Sequence, residues 1–370
     1  MRVGIDVSIL SSPLTGIGRF TLSLVQALAR WREPAEWVLL GAPPHLDALP
    51  NKPNIALHRV QGLTGWRRAI WQQIALPRLA RRFGLDVLHC PDFGRPIHVS
   101  IPVVNTIHDL SYYSPHAYFA LVGRTYKRAL TRVTVWKSSR IVADSKFTRD
   151  ELTRRFGLDY RKISVVYLGV DQNPPGEPLR GEQPFVLYVG TLEERKNLPN
   201  LIRGFALMRA QGGTPHHLVL AGKPGRGFDK IQAAIRASVY ANEIEALGYV
   251  DGKRVLELYR AADAVAMPSL YEGFGFPVLE AMAMGTPVVC SRAASLPEVG
   301  GDAAEYFDPL NPQEIAAALA KVLGSESLRC AMRRKGLERA RQFTWDECAR
   351  RYCEVYKEAA GGTGDLKEQG

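Results

Sequence analysis

The strongest constraint on the fold lies in residues 264–291, where an apolar strand, a glycine loop, a helix and a second apolar strand follow one another. The first strand ends at Pro268, and Pro277 stands where proline is favoured, in the first turn of a helix. Gly285 and Pro287 end the helix and lead into the second strand. Two strands joined through a helix form a parallel βαβ unit. The stretch therefore predicts a parallel α/β sheet.

Within this unit, two carboxylates stand eight residues apart: Glu272 in the loop and Glu280 near the start of the helix. The amides of Gly273, Phe274 and Gly275 and the helix N-terminus offer N–H groups to an anion. A carboxylate one turn into the helix accepts hydrogen bonds from the vicinal hydroxyls of a sugar. Adjacent phosphate and ribose sites predict a nucleotide. The alternative is that the glycines only form a turn and both glutamates are solvated.

The chain alternates strands and helices in two halves. In the first half, strands are predicted at residues 3–7, 37–40, 55–60, 86–89, 103–107, 140–143 and 163–166. In the second half, they are predicted at residues 185–190, 217–221, 245–250, 264–268 and 288–291. Between the halves, residues 169–184 contain four prolines and three glycines, which exclude a regular element. With 370 residues, the chain is predicted to form two doubly wound α/β domains, 1–170 and 185–344, joined by a linker at 171–184.

Several candidate site residues of the first half directly follow predicted strands, where doubly wound sheets bind their ligands. Gly16 and Gly18 lie between the first strand and a helix expected from residue 20. These glycines either let the backbone approach a ligand closely or form a tight turn, and both explanations fit equally well. His108 and Asp109 end a buried strand and are predicted to point into the same crevice. The alternative is that the histidine binds a backbone carbonyl and the aspartate caps the next segment.

Two further strand ends carry candidate phosphate ligands. Ser145 follows the strand at 140–143 and suits either a helix N-cap or a phosphate-side hydroxyl. In the second half, Gly190 ends a strand and leaves room for a ligand at the backbone. Arg195 and Lys196 follow at the strand–loop–helix junction, where two cations can bind a diphosphate. Adjacent surface charges are the alternative for this pair.

The positive charge is concentrated in the first half of the chain. Residues 1–175 carry 24 Lys and Arg against 12 Asp and Glu, whereas residues 176–370 carry 24 against 25. Much of the excess falls in two helical stretches, 66–82 and 124–140, in which cations alternate with Trp, Tyr and aliphatic residues. This composition predicts an anionic membrane surface or a polyanionic acceptor as partner. The alternative is amphipathic core helices with solvated basic faces, and no module typical of nucleic-acid binding is present.

Targeting and metal-binding patterns are not recognised in the sequence. No apolar run reaches the ~20 residues that a membrane helix needs. The sequence begins directly with an alternating strand pattern, so we expect a cytoplasmic protein, with peripheral association to the inner face of the membrane as a hypothesis. The five cysteines form no C-x-x-C pair, and no acidic or histidine cluster has metal-ligand spacing. We therefore expect neither a metal nor another cofactor.

The run Glu-Gly-Phe-Gly-Phe-Pro followed by Glu-Ala-Met-Ala-Met-Gly-Thr-Pro-Val-Val resembles the E-x7-E element of the retaining family 4 glycosyltransferases. The Thr-Gly-Ile-Gly-Arg start and the Ile-His-Asp-Leu strand end extend the resemblance over nearly the whole chain. It implies a GT-B fold, with two Rossmann-like domains facing across a central cleft. The N-terminal domain would bind the acceptor and the C-terminal domain the nucleotide sugar. A last helix, about residues 345–360, would pack back on the N-terminal domain.

The resemblance also implies residue roles. Arg195 and Lys196 would bind the donor diphosphate, Glu280 the ribose hydroxyls and Glu272 the hydroxyls of the donor sugar. The predicted catalytic set is His108, Asp109 and Glu272, with His108 near the anomeric centre. The predicted donor-binding set is Gly16, Gly18, Ser145, Gly190, Arg195, Lys196, Val250, Glu272, Gly273, Phe274, Gly275 and Glu280.

The function implied by the resemblance is metal-independent transfer of a hexose with retention of configuration. The attack would occur on the same face, with the leaving phosphate accepting the proton of the acceptor. Mannose from GDP-mannose is the expected donor, and a cell-surface polysaccharide, a lipopolysaccharide or a lipid-linked oligosaccharide precursor is the expected acceptor. A rhamnosyl- or glucosyltransferase using a UDP-, dTDP- or GDP-deoxysugar stays open. The alternative of another class is a non-catalytic nucleotide-sugar-binding scaffold.

Overall fold

The computed structural model describes residues 1–11, 16–31, 36–43, 48–50, 52–114, 121–172, 183–212 and 214–361. The chain divides into two compact units. Unit 1 contains Met1–Tyr113, Ala120–Gly169 and Trp345–Gly370, and unit 2 is built on Val170–Thr344. Most of the predicted linker, residues 173–182, lies outside the described residues.

Unit 1 is built on a sheet of seven parallel strands in the order β3-β2-β1-β4-β5-β6-β7. The strands are β1 (Arg2–Asp6), β2 (Glu36–Ala42), β3 (Ile55–Arg59), β4 (Val87–Cys90), β5 (Val103–Ile107), β6 (Arg140–Ala143) and β7 (Ile163–Val165). The helices that connect them are α1 (Gly16–Arg30), α2 (Gly65–Arg82), α3 (Leu121–Lys137) and α4 (Lys146–Phe156). All seven strands predicted from the sequence are confirmed.

Unit 2 contains a second parallel sheet, of six strands in the order β10-β9-β8-β11-β12-β13. Its strands are β8 (Phe185–Val189), β9 (His217–Ala221), β10 (Ile244–Gly248), β11 (Ala264–Met267), β12 (Val288–Ser291) and β13 (Ala304–Phe307). Its helices are α5 (Leu198–Ala210), α6 (Phe228–Ala237), α7 (Gly252–Ala261), α8 (Phe276–Ala283), α9 (Leu296–Gly300), α10 (Pro312–Leu323) and α11 (Glu326–Ala340). The edge strand β13 was not predicted from the sequence, because only Phe307 in it is fully buried and it lacks a long apolar run.

The burial of the central strands explains why their apolar runs were recognised in the sequence. β11 and β12 are buried along their whole length, since helices cover both faces of a parallel sheet. They pair in register from Val265 with Val288 to Met267 with Cys290. The strand order reverses between β1 and β4 in unit 1 and between β8 and β11 in unit 2. Doubly wound sheets form their ligand crevice at the carboxyl ends of such a strand pair.

The last helix, α12 (Trp345–Ala360), belongs to unit 1, where it contacts α1, β4 and β5. Tyr352 and Tyr356 on this helix are fully buried. The Tyr352 hydroxyl lies 2.8 Å from Thr106 Oγ1, and the Tyr356 hydroxyl lies 2.8 Å from His89 Nδ1. His89 Nε2 in turn lies 2.9 Å from Thr106 Oγ1. The helix is thus joined to the sheet by a buried polar network as well as by apolar packing.

Burial and, to a smaller degree, the charge of His108 lower the pKa of His89 to about 3. The folded state therefore keeps His89 neutral while the unfolded chain binds a proton below pH 6.5. We expect the unfolding free energy to fall by about 3 kcal/mol from this group as the pH decreases from 6.5 to 4. Denaturant unfolding across this range should show a weaker pH dependence in His89→Gln. His98→Gln, at an exposed histidine, is the control, and equal pH dependence in both variants would contradict the assignment.

Candidate functional site

The loops that leave β8 and β11 are tied to each other at the point where the strand order of unit 2 reverses. The amide of Leu270 donates to the carbonyl of Arg195 at 3.0 Å, and Arg195 Nη1 donates to the carbonyl of Tyr271 at 2.7 Å. Asn197, which holds a positive φ of 57°, donates from Nδ2 to the carbonyl of Pro268 at 3.2 Å. These bonds fix the backbone that carries the predicted diphosphate ligands.

A buried ion cluster occupies this position. Lys196 Nζ lies 2.5 Å from Glu272 Oε1, and Arg195 Nη1 lies 3.1 Å from Glu272 Oε2. Ser269 Oγ donates to Glu272 Oε1 at 2.7 Å. Arg195 Nη2 also pairs with Glu193 Oε1 at 2.8 Å. The structure therefore brings together Arg195, Lys196 and Glu272, which were predicted as site residues from the sequence. Glu272 lies 76 positions after Lys196 and 77 after Arg195 in the chain.

The charges within the cluster are strongly coupled. Burial alone raises the pKa of Glu272, but Lys196 and Arg195 outweigh this effect and lower it to about 2. Burial and the neighbouring Arg195 lower the pKa of Lys196, and Glu272 opposes that shift. Glu272 is therefore an ionised carboxylate at neutral pH, held between two cations. Such a group accepts hydrogen bonds but is not poised to donate a proton.

The glycine loop before α8 has the backbone geometry that the sequence predicted. Gly275 is the N-cap of α8 with a φ of 114°, and a side chain there would meet Leu296 Cδ2 at 2.8 Å. Ser295 Oγ donates to the carbonyls of Glu272 and Phe274, at 3.0 and 2.8 Å, and so fixes the loop. The ring of Phe274 is buried against Phe276 and Phe343. Phe274 thus anchors the loop, and a contact with a donor would come from its backbone.

The remaining predicted residues of unit 2 lie around the same sheet edge. Glu280 is buried on α8 and accepts from the hydroxyl of Tyr259 at 3.0 Å. Gly190 follows β8, and its carbonyl lies so close to Gly222 that a Cβ on Gly222 would come within 1.8 Å of the carbonyl oxygen. Val250 follows the edge strand β10 and is half-buried. Val250 is therefore two strands away from β8, whereas Gly190 lies at the reversal of the strand order.

In unit 1, His108 follows β5 and binds two acceptors. Its Nδ1 lies 2.5 Å from Asp144 Oδ2, and its Nε2 lies 3.0 Å from the carbonyl of Pro91. Burial lowers the pKa of His108, but Asp144 outweighs it and the net pKa is raised. A protonated imidazole donates from both nitrogens, which matches the two acceptors. The ring of Phe20 packs edge-on against His108 at 4.8 Å between centroids. The imidazole is consequently fixed in orientation by Asp144 and Pro91, and the raised pKa favours its protonated form.

Asp109 and Ser145 fulfil the capping roles considered in the sequence analysis. Asp109 Oδ1 accepts from the amide and the hydroxyl of Ser111, at 3.0 and 2.8 Å. Ser145 is the N-cap of α4 and accepts from the amide of Thr148 at 3.1 Å. Both residues lie at the carboxyl edge of the sheet of unit 1. Their local bonds explain their presence without a ligand, and their donor or catalytic roles stay predictions.

The structure corrects the expected start of the first helix. α1 begins at Gly16 and not at residue 20, so Gly16 and Gly18 lie in its first turn. Gly16 is exposed, and a side chain there would meet no neighbouring atom. The residues before Gly16, 12–15, lie outside the described residues. A phosphate contact by this segment would therefore involve the N-terminus of α1 rather than a free loop.

A second buried polar cluster in unit 1 was not predicted. Arg68 Nη2 lies 2.7 Å from Asp92 Oδ2 and 3.7 Å from Asp6 Oδ2. Gln72 Nε2 donates to Asp6 Oδ2 at 2.7 Å, and Arg68 Nε donates to Ser8 Oγ at 2.8 Å. Arg68 belonged to the basic stretch expected to face an anionic surface. Because it binds two buried carboxylates, it does not contribute to such a surface.

Other residues of the candidate sites also escaped the sequence analysis, namely Asp144, Glu193, Tyr259 and Ser269. Asp144, at the end of β6, pairs with His108, and Ser269, at the end of β11, binds Glu272. A search for polar residues directly after each predicted strand would have found these two. Tyr259 lies in the middle of α7, and no local pattern marks its bond to Glu280.

Comparisons with known proteins identify the family. Residues 170–339 match the model of the glycosyl transferases group 1, and residues 14–173 match the model of glycosyltransferase family 4. The O-antigen chain mannosyltransferase B of Escherichia coli is 32% identical over 368 residues, which cover 93% of this chain and 96% of the relative. The chain belongs to the group 1 glycosyltransferases. This glycosyltransferase is also 30% identical over 298 residues to the glycogen synthase of Mycobacterium tuberculosis, covering 75% of this chain and 70% of that protein.

Solved structures confirm the expected GT-B fold of this glycosyltransferase. Sucrose-phosphate synthase from Thermosynechococcus elongatus superimposes with a TM-score of 0.77 at 17% identity, covering 97% of this chain and 98% of that chain. WaaG, a glycosyltransferase involved in lipopolysaccharide biosynthesis, gives a TM-score of 0.72 at 15% identity, covering 97% and 100%. HepE from Anabaena in complex with UDP-glucose gives 0.69 at 16% identity, covering 96% and 99%. At these identities the comparison concerns the fold alone.

Removing the carboxylate of Glu272 tests the ion cluster. We expect Glu272→Gln to lower the unfolding free energy at pH 7 by about 3–5 kcal/mol, because Lys196 and Arg195 lose their shared buried counter-charge. Since the folded pKa is depressed to about 2, the wild-type advantage is full above pH 4.5 and disappears as the pH falls toward 2. Urea unfolding at several pH values measures both effects.

The control is Glu194→Gln, in the loop that carries Arg195 and Lys196, which removes an exposed salt bridge to Lys230 of α6. We expect it to leave the unfolding free energy almost unchanged, since exposed pairs contribute little. Equal stability of the two variants at pH 7 would show that the Glu272 cluster does not stabilise the folded state.

Proposed function

We propose that this glycosyltransferase transfers a hexose with retention, most simply mannose from GDP-mannose, to a hydroxyl of a polysaccharide or lipid-linked oligosaccharide precursor. The observation that carries the proposal is the buried cluster of Lys196, Arg195 and Glu272 beside the α8 loop. It places two cations and one ionised carboxylate where the strand order of unit 2 reverses. A diphosphate and sugar hydroxyls have complementary chemistry.

The charge balance of the cluster indicates how a donor binds. In the structure, Lys196 and Arg195 are compensated by Glu272 and Glu193. A diphosphate therefore requires Glu272 to give part of its hydrogen bonding to the hydroxyls of the donor sugar, which releases the cations toward phosphate. Lys196 Nζ has three N–H groups and can bind Glu272 and phosphate together. Selectivity for an intact nucleotide sugar over free nucleotide follows from this exchange.

The assignment of the donor rests on different observations from the assignment of the site. The E. coli relative is named an O-antigen chain mannosyltransferase, which supports mannose and a cell-surface polysaccharide. HepE has been solved with UDP and with UDP-glucose, which supports a uridine nucleotide as the second candidate. The fold accommodates either, because the phosphate and ribose contacts do not depend on the base. UDP-glucose and deoxysugar donors are therefore the alternatives within the same reaction.

The proposed mechanism consists mainly of positioning and electrostatics. The acceptor hydroxyl attacks on the face from which the phosphate departs, and the phosphate takes its proton. Lys196 and Arg195 offset the charge that develops on the diphosphate. Among the residues that the structure describes, no group of three or more His, Cys, Asp or Glu is placed to hold a metal ion. We also propose that the reaction needs no metal, because the two cations would offset the charge of the leaving diphosphate themselves. A covalent glycosyl-enzyme would contradict this mechanism.

In this proposal unit 1 binds the acceptor and supplies His108 near the anomeric carbon. We propose that the imidazole is protonated, since Asp144 raises its pKa and both nitrogens lie within hydrogen-bond distance of an oxygen, from Asp144 and Pro91. Such a charge stabilises a departing phosphate but does not stabilise an oxocarbenium ion. The role proposed for His108 is therefore electrostatic contact with donor oxygens. Asp109 is proposed to position the following segment through Ser111.

A thermal-shift screen against GDP, UDP, dTDP and ADP in EDTA tests the function. We expect GDP to raise the unfolding free energy by about 2.7 kcal/mol at a hundredfold excess over Kd, and the other nucleotides to do less. A larger shift with UDP would replace GDP-mannose by a UDP-sugar. Absence of a shift with every nucleotide would contradict the proposed donor site, whereas binding without transfer of the sugar would support the non-catalytic nucleotide-sugar-binding scaffold.

The matched variants for this screen are Lys196→Ala and Lys230→Ala. Lys196→Ala should weaken nucleotide diphosphate binding by about 1.5–3 kcal/mol, as expected for a lost hydrogen bond to a charged group. Lys230 is exposed and pairs with Glu194, so its substitution should leave affinity unchanged. Unchanged affinity in Lys196→Ala, measured by titration calorimetry, would rule out its assigned role.

We also propose that unit 1 associates with an anionic membrane surface, where a lipid-linked acceptor would lie. No described helix is long and apolar enough to cross a membrane. On α2, however, Trp66, Ile70 and Ile74 recur every four residues and are between 49% and 70% exposed. Exposed Arg67 and Arg78 lie beside them on the same helix. An exposed apolar row flanked by cations suits an interfacial helix.

Sedimentation with vesicles of phosphatidylglycerol and phosphatidylcholine at low salt tests this association. Ile74→Gln should weaken binding by about fivefold, as expected for a half-exposed side chain that becomes buried in the interface. Leu256→Gln, at an exposed position of α7 in unit 2, should bind as the wild type does. Failure of the wild type to sediment would remove the membrane proposal and leave the transferase unaffected.

A further inference from the structure

Unit 1 contains an open groove that no part of the proposed reaction uses. Its volume is about 610 Å³. It lies between the C-terminal ends of α2 and α3 and the segment that connects β4 to β5. The residues that line it are Pro77, Arg81, Arg95, Ile97, His98, Val99, Ser100 and Lys137.

The lining is positively charged and contains no carboxylate. Arg81 comes from α2, Lys137 from α3, and Arg95 and His98 from the connecting segment. Among the described residues, no salt bridge is formed by the buried Arg95 or by the exposed Arg81 and Lys137. Lys137 Nζ makes one long bond of 3.4 Å to the carbonyl of Ile97. The groove therefore concentrates positive charge that no protein group offsets in the part of the chain that the structure describes.

Arg95 shows that the groove is more than a surface patch of cations. Its residue is only 4% exposed, and its Nε donates to the carbonyl of Pro96 at 2.9 Å. Its Nη1 is buried and finds no hydrogen-bond acceptor among the described residues. Burial lowers the pKa of this guanidinium. A buried N–H group without an acceptor is unfavourable, and an anion bound beside Nη1 of Arg95 would remove that cost.

Lys162 is a further cation whose charge interacts with that of Arg95. Its Nζ donates to the carbonyl of Trp136 at 2.9 Å. Burial, followed by the charge of Arg95, lowers the pKa of Lys162. The charges of Arg95 and Lys162 thus repel each other. An anion bound by Arg95 would relieve this repulsion as well.

The groove lies at the opposite edge of the unit 1 sheet from His108 and Asp144. Arg81 and Lys137 are at the ends of helices that lead into the amino ends of β4 and β6. His108 and Asp144, in contrast, follow the carboxyl ends of β5 and β6. A ligand in the groove would therefore be separated from His108 by the length of the strands.

We propose that this groove is a binding site for a phosphate group, either a monoester or a diphosphate. Two guanidinium groups favour the tetrahedral, multiply charged oxygens of phosphate, which accept bidentate hydrogen bonds. The exposed Lys137 supplies a third cation. Ile97, which is 36% exposed, offers an apolar contact beside the cations. The phosphate is carried by a lipid headgroup or by a soluble molecule, and the same residues bind it in both cases.

Titration calorimetry of the full chain with inorganic pyrophosphate tests the site. All proteins carry Lys196→Ala, which weakens the separate diphosphate site proposed for unit 2, so that a change in affinity reports on the groove. We expect the pair Arg81→Gln and Lys137→Gln to weaken pyrophosphate binding about tenfold. The control pair, Arg78→Gln and Arg132→Gln, removes one exposed cation from each of the same helices outside the groove and should bind as the background does. Equal affinity in the two double variants, or no binding in the background, would overturn the proposal.

A second variant and a vesicle competition complete the test. Arg95→Gln should also weaken pyrophosphate binding about tenfold, and circular dichroism verifies that this variant folds. Vesicles containing phosphatidic acid then distinguish the sources of the phosphate. Displacement of the protein from these vesicles by pyrophosphate assigns the groove to a lipid headgroup. Binding of pyrophosphate without displacement assigns it to a soluble phosphate.

Discussion

The buried ion pair between Lys196 and Glu272 is the interaction on which the architecture of unit 2 depends. It joins the loop after β8 to the loop after β11, and bonds from Leu270, Arg195 and Asn197 reinforce the same junction. A cation and a carboxylate at this depth are stable only as a pair, because either one alone would be a desolvated charge. Their position at the reversal of the strand order makes the same pair available to a ligand. Structural stability and donor recognition therefore draw on the same charges.

Unit 1 uses buried charge in a comparable way. His108 is held between Asp144 and the carbonyl of Pro91, and Arg68 is held between Asp92 and Asp6. Both groups lie at the carboxyl ends of central strands. Fixed charges of this kind do not need to reorganise during a reaction, which is the condition for efficient electrostatic stabilisation. The buried histidine His89 has a different part, since it remains neutral and joins α12 to the sheet.

The cations of unit 1 lie in three different environments in the structure. Arg68 neutralises buried carboxylates, whereas Arg67 and Arg78 are exposed beside the apolar row of α2. Arg81, together with Arg95 and Lys137, lines the groove at the amino edge of the sheet. A net charge calculated from the sequence cannot separate these groups, because it does not contain the direction of a side chain. The interpretation of the basic stretches as one surface was therefore too simple.

The sequence by itself determined the two parallel sheets and the positions of Arg195, Lys196, Glu272 and Glu280. Buried parallel strands are continuous apolar runs, and their loops carry glycines and charges in a fixed local order, so both signals are local. Only the tertiary structure decided that Glu272 lies between Lys196 and Arg195, that His108 lies between Asp144 and the carbonyl of Pro91, and that Nη1 of Arg95 is buried without an acceptor among the described residues. These facts depend on contacts between segments distant in the chain. Sequence spacing contains no record of such distances.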